Sequence, residues 1–465
     1  MSIAIVVLML LGYVLICVEH VTHLNKATVA MFCGVVGWVL FMCMGTSFIQ
    51  VLHAQEFQEY LGDSPYTLEA SKQFIASHIF LRYFGQMGGV VLYVLATMAI
   101  VEVLVNNECF KFLKSWLRSQ NTNHVLWLTV LVTFTISANL DNLSTTVMML
   151  MVMRRILSAP RQRMYVGAAI VIAANAAGMF TVIGDISSLL IWTKGAVTPT
   201  NYTGSLALSA VVATVIPTFF IRSQLPERLD IERPAYSFRG EDSALKIWQR
   251  AILVVLAFAG LWFIPTFHRI TLLPPFLGAL CVLGVVWVAA EIANISRIRS
   301  EQPQTITMGR SLQYEVLQVI MYTVGACLCV DVLIEIGAMR AVSGWLDANI
   351  HSTYLLSAVL GLLSAVMDNI VLVLSAVNIY QVLSVEDATT PYLENFLQNG
   401  QYWHLVALSG NIGGCLLPIG SVAGLALMKL EDVTIWWWFR RITLGAFVGW
   451  ACALGVYFLV DYFLR

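Results

Sequence analysis

Ten stretches of this chain, at about 2–18, 27–47, 83–105, 164–192, 205–221, 251–267, 271–290, 315–337, 401–428 and 442–463, are apolar over roughly the length that a helix needs to cross about 30 Å of hydrocarbon. In lipid every backbone polar group must be satisfied internally, so runs of this length fold as helices. The rest of the sequence leaves no room for a soluble domain. Of 465 residues, 59% are hydrophobic and 11% charged, and the longest polar stretch, Arg222 to Arg250, is too short to build a core of its own. An all-α polytopic membrane protein follows, with the lipid bilayer as its main partner. A net charge of −1 points to no nucleic acid. Cys17, Cys33, Cys43, Cys281, Cys327, Cys329 and Cys452 lie in apolar runs without metal-ligand spacing, where Cys acts as a small hydrophobe. The N-terminal run has no basic residue before Lys26, so it reads as a retained first span rather than a signal peptide.

Two further apolar stretches, 124–153 and 352–383, carry a polar cluster at their middle, Ser137–Asn142 and Ser364–Asn369. The apolar residues on either side of each cluster are too few to span. Basic side chains distinguish an interrupted span from a hairpin, because cytoplasmic loops are enriched in Lys and Arg. Lys111, Lys114 and Arg118 precede the first stretch and Arg154, Arg155, Arg161 and Arg163 follow it, which puts both its ends in the cytoplasm. Acidic Glu386, Asp387 and Glu394 follow the second, and no Lys or Arg lies between Arg340 and Lys429, which puts both its ends outside. Ten crossings and two re-entrant hairpins leave only Lys72, Arg82, Lys194, Arg269, Arg340 and Arg465 external, and both termini external as well.

Three blocks recur in the same order. Val101-Glu102-Val103-Leu104 matches Val330-Asp331-Val332-Leu333, and Ser137-Ala138-x-x-Asp141-Asn142 matches Ser364-Ala365-x-x-Asp368-Asn369. Asn175-x-x-Gly178 with Ile183-Gly184-Asp185 matches Asn411-x-x-Gly414 with Ile419-Gly420-Ser421. The chain therefore divides into a first repeat at 1–221, a cytoplasmic linker at 222–250 and a second repeat at 251–465. Each repeat holds three spans, a hairpin (124–153 or 352–383), a broken span (164–192 or 401–428) and one more span. With an external start for the first and an internal start for the second, the topologies are inverted. Inverted repeats with broken helices are the architecture of secondary transporters, with the site near the midplane.

The polar inventory at the tips and breaks is Ser137, Asn139, Asp141, Asn142, Ser144 and Thr145, then Asn175, Asp185, Ser187 and Ser188. The second half adds Ser364, Asp368, Asn369, Asn411 and Ser421. Hydroxyl, amide and carboxylate oxygens are hard ligands, suited to Na+, Li+ or Ca2+ rather than thiophilic metals. Asp141 and Asp368 could serve only as helix N-caps. Ser or Asn would cap equally well without the cost of a charge at membrane depth, about 2.5–3.5 kcal/mol on insertion scales. Glu102 and Asp331 are candidates for a proton relay or for simple helix ends. His78 and His404 are the candidates for pH sensing, since His titrates nearest neutrality.

Ser-Ala-x-Leu-Asp-Asn-Leu-Ser-Thr-Thr at 137–146, Ile-Gly-Asp at 183–185 followed by Trp192, His20 through Asn25-Lys26-Ala27, and Thr97-x-x-Ile100-Val101-Glu102 together resemble the NhaD-type sodium/proton antiporters of the ion transporter superfamily. The resemblance covers most of the chain. It implies two inverted repeats, usually a homodimer, in a prokaryotic cytoplasmic membrane, with no cofactor and with Na+ (or Li+) and H+ as the transported ions. It also implies ion-site roles for Ser137, Asp141, Asn142, Thr145, Asn175, Asp185, Asp368 and Asn369. The sequence departs from the family at Ile370-Val371, at Cys415 and at Ser187-Ser188. The expected function is Na+ (or Li+)/H+ exchange with Asp141, Asp185 and Asp368 as exchanging carboxylates. A sodium-coupled dicarboxylate carrier of the same superfamily is the nearest alternative, and an intramembrane aspartyl protease a remote one.

Overall fold

The computed structural model describes residues 2–22, 24–44, 46–231, 245–298 and 309–464. Positions 232–244, the middle of the linker assigned above, and Arg465 lie outside the described residues. Within the described residues the chain is helical throughout, with three isolated bridges in place of a sheet. Eight helices are long and apolar enough to cross a membrane. The third of the ten spans runs on from a preceding helix. Leu68–Phe74, a π-helical turn at Ile75–Phe80 and Leu81–Asn106 form one rod that is far longer than a bilayer core.

Burial runs opposite to that of a soluble protein. The helices Ile247–Thr271 and Pro275–Ile298 present Val255, Trp262, Val285 and Trp287 outward, each at least half exposed, as a lipid-facing surface requires. The helix Pro160–Phe180 lies at the centre, and its Ala173, Ala174, Ala176 and Ala177 are fully buried. Small residues there let neighbouring backbones approach closely.

Both interrupted stretches are helix–turn–helix units. The first is Thr122–Ser137 and Asn142–Arg154, the second Thr353–Ser364 and Asn369–Ile379. At 1.5 Å per residue these arms are about 16–24 Å long, short of a bilayer core. The outer ends of each unit come together. At the first, Leu229 N–H donates to Gln120 O (2.9 Å), Thr122 Oγ1 donates to Pro226 O (2.6 Å) and Ser158 N–H donates to Asp230 O (3.0 Å), so one strap, 226–231, ties both ends. At the second, Tyr380 donates to Asp347 (2.9 Å), Tyr392 to Ile350 O (3.4 Å) and Thr353 to Gln401 (2.5 Å).

The broken spans divide where the glycine motifs place them, into Pro160–Phe180 with Ile186–Thr193 and Gln401–Gly413 with Val422–Glu431. Glycine is required at the breaks by close approach. A Cβ on Gly184 would lie 3.0 Å from Ser137 O at the first hairpin tip, and a Cβ on Gly420 would collide with Ser364 O at the second. The packing exchanges partners between halves. The second arm of each hairpin lies against the other half's broken span, Asn142–Arg154 on Val422–Glu431 and Asn369–Ile379 on Ile186–Thr193.

Candidate functional site

Each short half-helix at a break or tip begins with a side-chain cap. Asp141 accepts from Ser144 N–H (2.9 Å), Asp368 from Ile370 N–H (3.0 Å), Asp185 from Ser187 N–H (3.3 Å) and Ser421 from Gly424 N–H (3.1 Å). Four helix N-termini thus converge in one buried region, and each leaves orphan N–H groups that favour an oxygen acceptor. All the carboxylates and amides involved are less than 10% exposed.

Two chains of hydrogen bonds cross between the halves. Ser137 Oγ donates to Asn142 Oδ1 (3.0 Å) and to Ala174 O (2.9 Å). Asn142 Nδ2 donates to Asn175 Oδ1 (3.3 Å), and Asn175 Nδ2 donates to Ser421 Oγ (3.0 Å) and lies 3.3 Å from Cys415 Sγ. In the other half Ser364 Oγ donates to Gly410 O, Asn369 Nδ2 donates to Asn411 Oδ1 (2.9 Å), and Asn411 Nδ2 donates to Ser187 Oγ (2.8 Å). Ser187 Oγ in turn bonds Asp185 Oδ2. The pattern is the same in both. A hairpin asparagine binds the asparagine of its own broken span, which binds the cap region of the other half's broken span.

The residues singled out at the tips and breaks are therefore brought together: Ser137, Asp141, Asn142, Thr145, Asn175, Asp185, Ser187, Ser364, Asp368, Asn369, Asn411 and Ser421. Thr145 Oγ1 and Asn139 Oδ1 are buried oxygens without a protein partner among the described residues. Ser188 turns away, donating to Gly178 O (2.9 Å) and accepting from Tyr202 Oη (3.2 Å). Asp141 and Asp185, both buried, cap the second hairpin arm and the second segment of the broken span in the same half. Neither forms an ion pair among the described residues.

Asp368 differs. Its Oδ2 lies 2.5 Å from Nζ of Lys26, and both side chains are nearly buried. Lys26 is one residue the sequence argument did not place in the site, because it lies in the Asn25-Lys26-Ala27 stretch, away from the tip and break motifs. No local signal could have revealed the pairing, because 342 positions separate the partners.

The four relay and pH-sensing candidates are dispersed. Asp331 is buried one turn before Glu335, and Glu102 is half-buried on Leu81–Asn106. His78 is exposed on the π-helical turn, hydrogen-bonded to Ser77 (2.8 Å) and stacked on Phe74. His404 is buried, with Nδ1 on Tyr457 Oη (3.1 Å) and Nε2 unpartnered among the described residues. His53, between the helices Thr46–Leu52 and Ala54–Leu61, is also engaged. Its Nε2 lies 3.0 Å from the buried Glu335, which also accepts from Tyr83 (2.7 Å). The hydrogen bond to Glu335 raises His53 above its ordinary value, against partial burial, which lowers it. No cluster of three or more His, Cys, Asp or Glu suited to a tightly held metal occurs among the described residues.

This geometry has counterparts in known proteins. The chain is 27% identical over 458 residues to sodium/proton antiporter 2 of Arabidopsis thaliana, covering 97% of this chain and 98% of that protein. It is 28% identical to the Na(+)/H(+) antiporter NhaD of Vibrio cholerae, over 72% of this chain and 70% of the relative. The YdaH transporter of Alcanivorax borkumensis shares its fold, with a TM-score of 0.54 at 13% identity over 84% of this chain and 90% of that one. The profile of the citrate transporter family (CitMHS) matches residues 3–394. These likenesses identify a multi-pass secondary transporter of the ion-transporter and antiporter superfamily rather than an enzyme, and the matched length shows that the chain belongs to the citrate transporter (CitMHS) family.

Proposed function

We propose that this protein exchanges Na+ (or Li+) for protons, and that Asp141 and Asp185 carry both ions in alternation. The observation that carries the reading is this buried pair of carboxylates without a cationic partner among the described residues. Two such charges are costly at membrane depth, and either a metal cation or a proton relieves the same cost. The two ions therefore compete, and binding one releases the other. Ser187, Asn142 and Thr145 offer hydroxyl and amide oxygens to the dehydrated cation, and Asn175 and Asn411 orient that shell.

Alternating access follows from an inverted repeat. The first broken span begins beside the strap at 226–231, and the second ends there, where Arg163 Nε lies 2.7 Å from Glu431. At its other end the first broken span meets the outer loop of the second hairpin, where Thr198 N–H donates to Asn399 Oδ1 (2.6 Å) and Lys194 lies 3.0 Å from Asn378. These contacts support broken spans that run in opposite directions and hairpins that enter from opposite faces. The hairpins and breaks would move together against the lipid-facing helices.

The antiporter names of the relatives favour this reading, and the family description favours a second one, an anion carrier. The Asp141 and Asp185 carboxylates, without a cationic partner among the described residues, repel an anionic substrate, so the cation reading is preferred. In proteoliposomes loaded with a pH-sensitive dye, Na+ addition is expected to dequench the dye, and Asp141→Asn and Asp185→Asn to abolish the response. Wild-type-like exchange in both variants refutes the assignment. Na+-dependent uptake of labelled citrate or succinate would establish the anion carrier instead.

A further inference from the structure

The two halves match in hydrogen bonding but not in charge. Asp141 and Asp368 occupy the same motif position, cap the same hairpin arm and are both buried. Asp185, however, is matched by the neutral Ser421, and Asp368 alone of the three aspartates has a cation against it. In the first half two carboxylates await a counter-ion, whereas in the second one carboxylate already has one.

Lys26 reaches Asp368 from an unfavourable place. It is the first residue of the helix Lys26–Met44, whose entry is capped by Asn25 Oδ1 accepting from Ala27 N–H (2.8 Å). A helix N-terminus disfavours a cation, by about 0.3–1 kcal/mol in exposed settings. Compensation comes from tertiary contacts. Its ammonium touches the Asp368 carboxylate and lies 4.3 Å from the centre of the Tyr322 ring. The helix at the matching place in the second half, Pro275–Ile298, follows Leu273-Pro274 and begins with Pro275 where the first half has Lys26.

The pair also borders open space. One cleft is lined by Glu19, Lys26, Leu143, Gln318 and Lys429, and a second by Cys17, Glu19, Lys26, Asp368 and Ile419. The first reaches from Lys26 to Leu143, beside the tip of the other hairpin. Lys26 lines both clefts, and Asp368 the second.

We propose that Lys26 is a resident counter-cation, its ammonium holding at Asp368 the place that a transported cation takes at Asp141, so that each chain has a single exchangeable cation site. This rests on the reading of Asp141 and Asp185 as the ion-carrying pair. Asp368 then stays neutralised through the cycle and the second hairpin takes no cation from solution.

The test is to count bound 22Na+ on the purified full chain and to follow its melting temperature with and without Na+, choline replacing Na+. Wild type is expected to bind one Na+, and Lys26→Met to bind a second that disappears in Lys26→Met/Asp368→Asn. Na+ is also expected to raise the melting temperature of Lys26→Met by more than that of the double variant. A merely structural ion pair would leave both differences at zero, and that result overturns the proposal, as would two sites in wild type. Should Lys26→Met fold only when prepared in Na+, the proposal is upheld. Recovery in neither salt overturns it. Na+ binding that survives in Asp141→Asn and Asp185→Asn would sink the exchange mechanism itself. The Lys26→Met comparison with the double variant reads Asp368 alone, so the two failures are told apart.

Discussion

Gly178 is the position where one methyl group should do the most damage. It lies on the buried face of Pro160–Phe180, and a Cβ built there falls on the side-chain amide of Asn142. Asn142 cannot stay. Moving it breaks its acceptance from Ser137 (3.0 Å) and its donation to Asn175 (3.3 Å). Each buried polar group left unpaired costs about 1–3 kcal/mol, so Gly178→Ala should cost about 2–6 kcal/mol. Gly204 is the control. It is exposed on Pro199–Gln224 with no atom near a built Cβ, and Gly→Ala in a helix gains up to about 1 kcal/mol. Thermal unfolding of the detergent-solubilised protein should therefore show Gly178→Ala well below wild type and Gly204→Ala at or above it. If the clash with Asn142 is the cause, Gly178→Ala/Asn142→Ala will lose less than the sum of its two single losses, since the second substitution removes what the first collides with. Equal melting of Gly178→Ala and Gly204→Ala, or strict additivity in the cycle, would refute the argument.

Two further outcomes follow from ion pairs at the ends of the spans. Arg163→Ala strips the buried Glu431 of its close partner and leaves only Arg154 at 3.9 Å, so it should destabilise by about 3–5 kcal/mol in the same melting experiment, with Arg163→Lys losing less. His53 gives a pH dependence. Because its folded value is raised by Glu335, its stabilising contribution is complete below the ordinary histidine value of about 6.5 and fades as pH climbs through the raised value. Wild type should therefore lose melting temperature relative to His53→Gln as pH rises from 6 towards 8, and parallel curves would show that the contact carries no such linkage.

The two helix–turn–helix units and the breaks were legible in the sequence because each is written locally and then written again, whereas the asparagines were candidate ligands there and their bonding to one another was not foreseen. A polar cluster inside an apolar run is conspicuous, and its recurrence in the second half marks it as architecture. The glycine motifs announce breaks for a steric reason that the structure makes concrete at Gly184 and Gly420, where a carbonyl of the hairpin tip occupies the space of a side chain. Alternating-face patterns were of less use. A helix buried on all sides, such as Pro160–Phe180, and one facing lipid, such as Ile247–Thr271, are both apolar around their whole circumference, so composition separates them poorly. The overlong rod through Ile75–Phe80 was missed in part for the opposite reason, its portion at 68–80 being too polar to extend the apolar run.

What the motifs could not express is charge pairing across the fold. Asp141 and Asp368 share the six-residue motif Ser-Ala-x-x-Asp-Asn, yet among the described residues one has no cation against it and the other a lysine. The difference originates in a helix that begins more than a hundred residues before either motif, at a position where local preference argues against a cation. The same holds for Glu335, whose histidine and tyrosine partners come from the first half of the chain. Removing one partner of an ion pair at membrane depth leaves an uncompensated buried charge, which costs more than the pair gains by forming. The few pairings that repeat analysis cannot see are therefore the ones through which two chemically similar hairpins acquire different electrostatics.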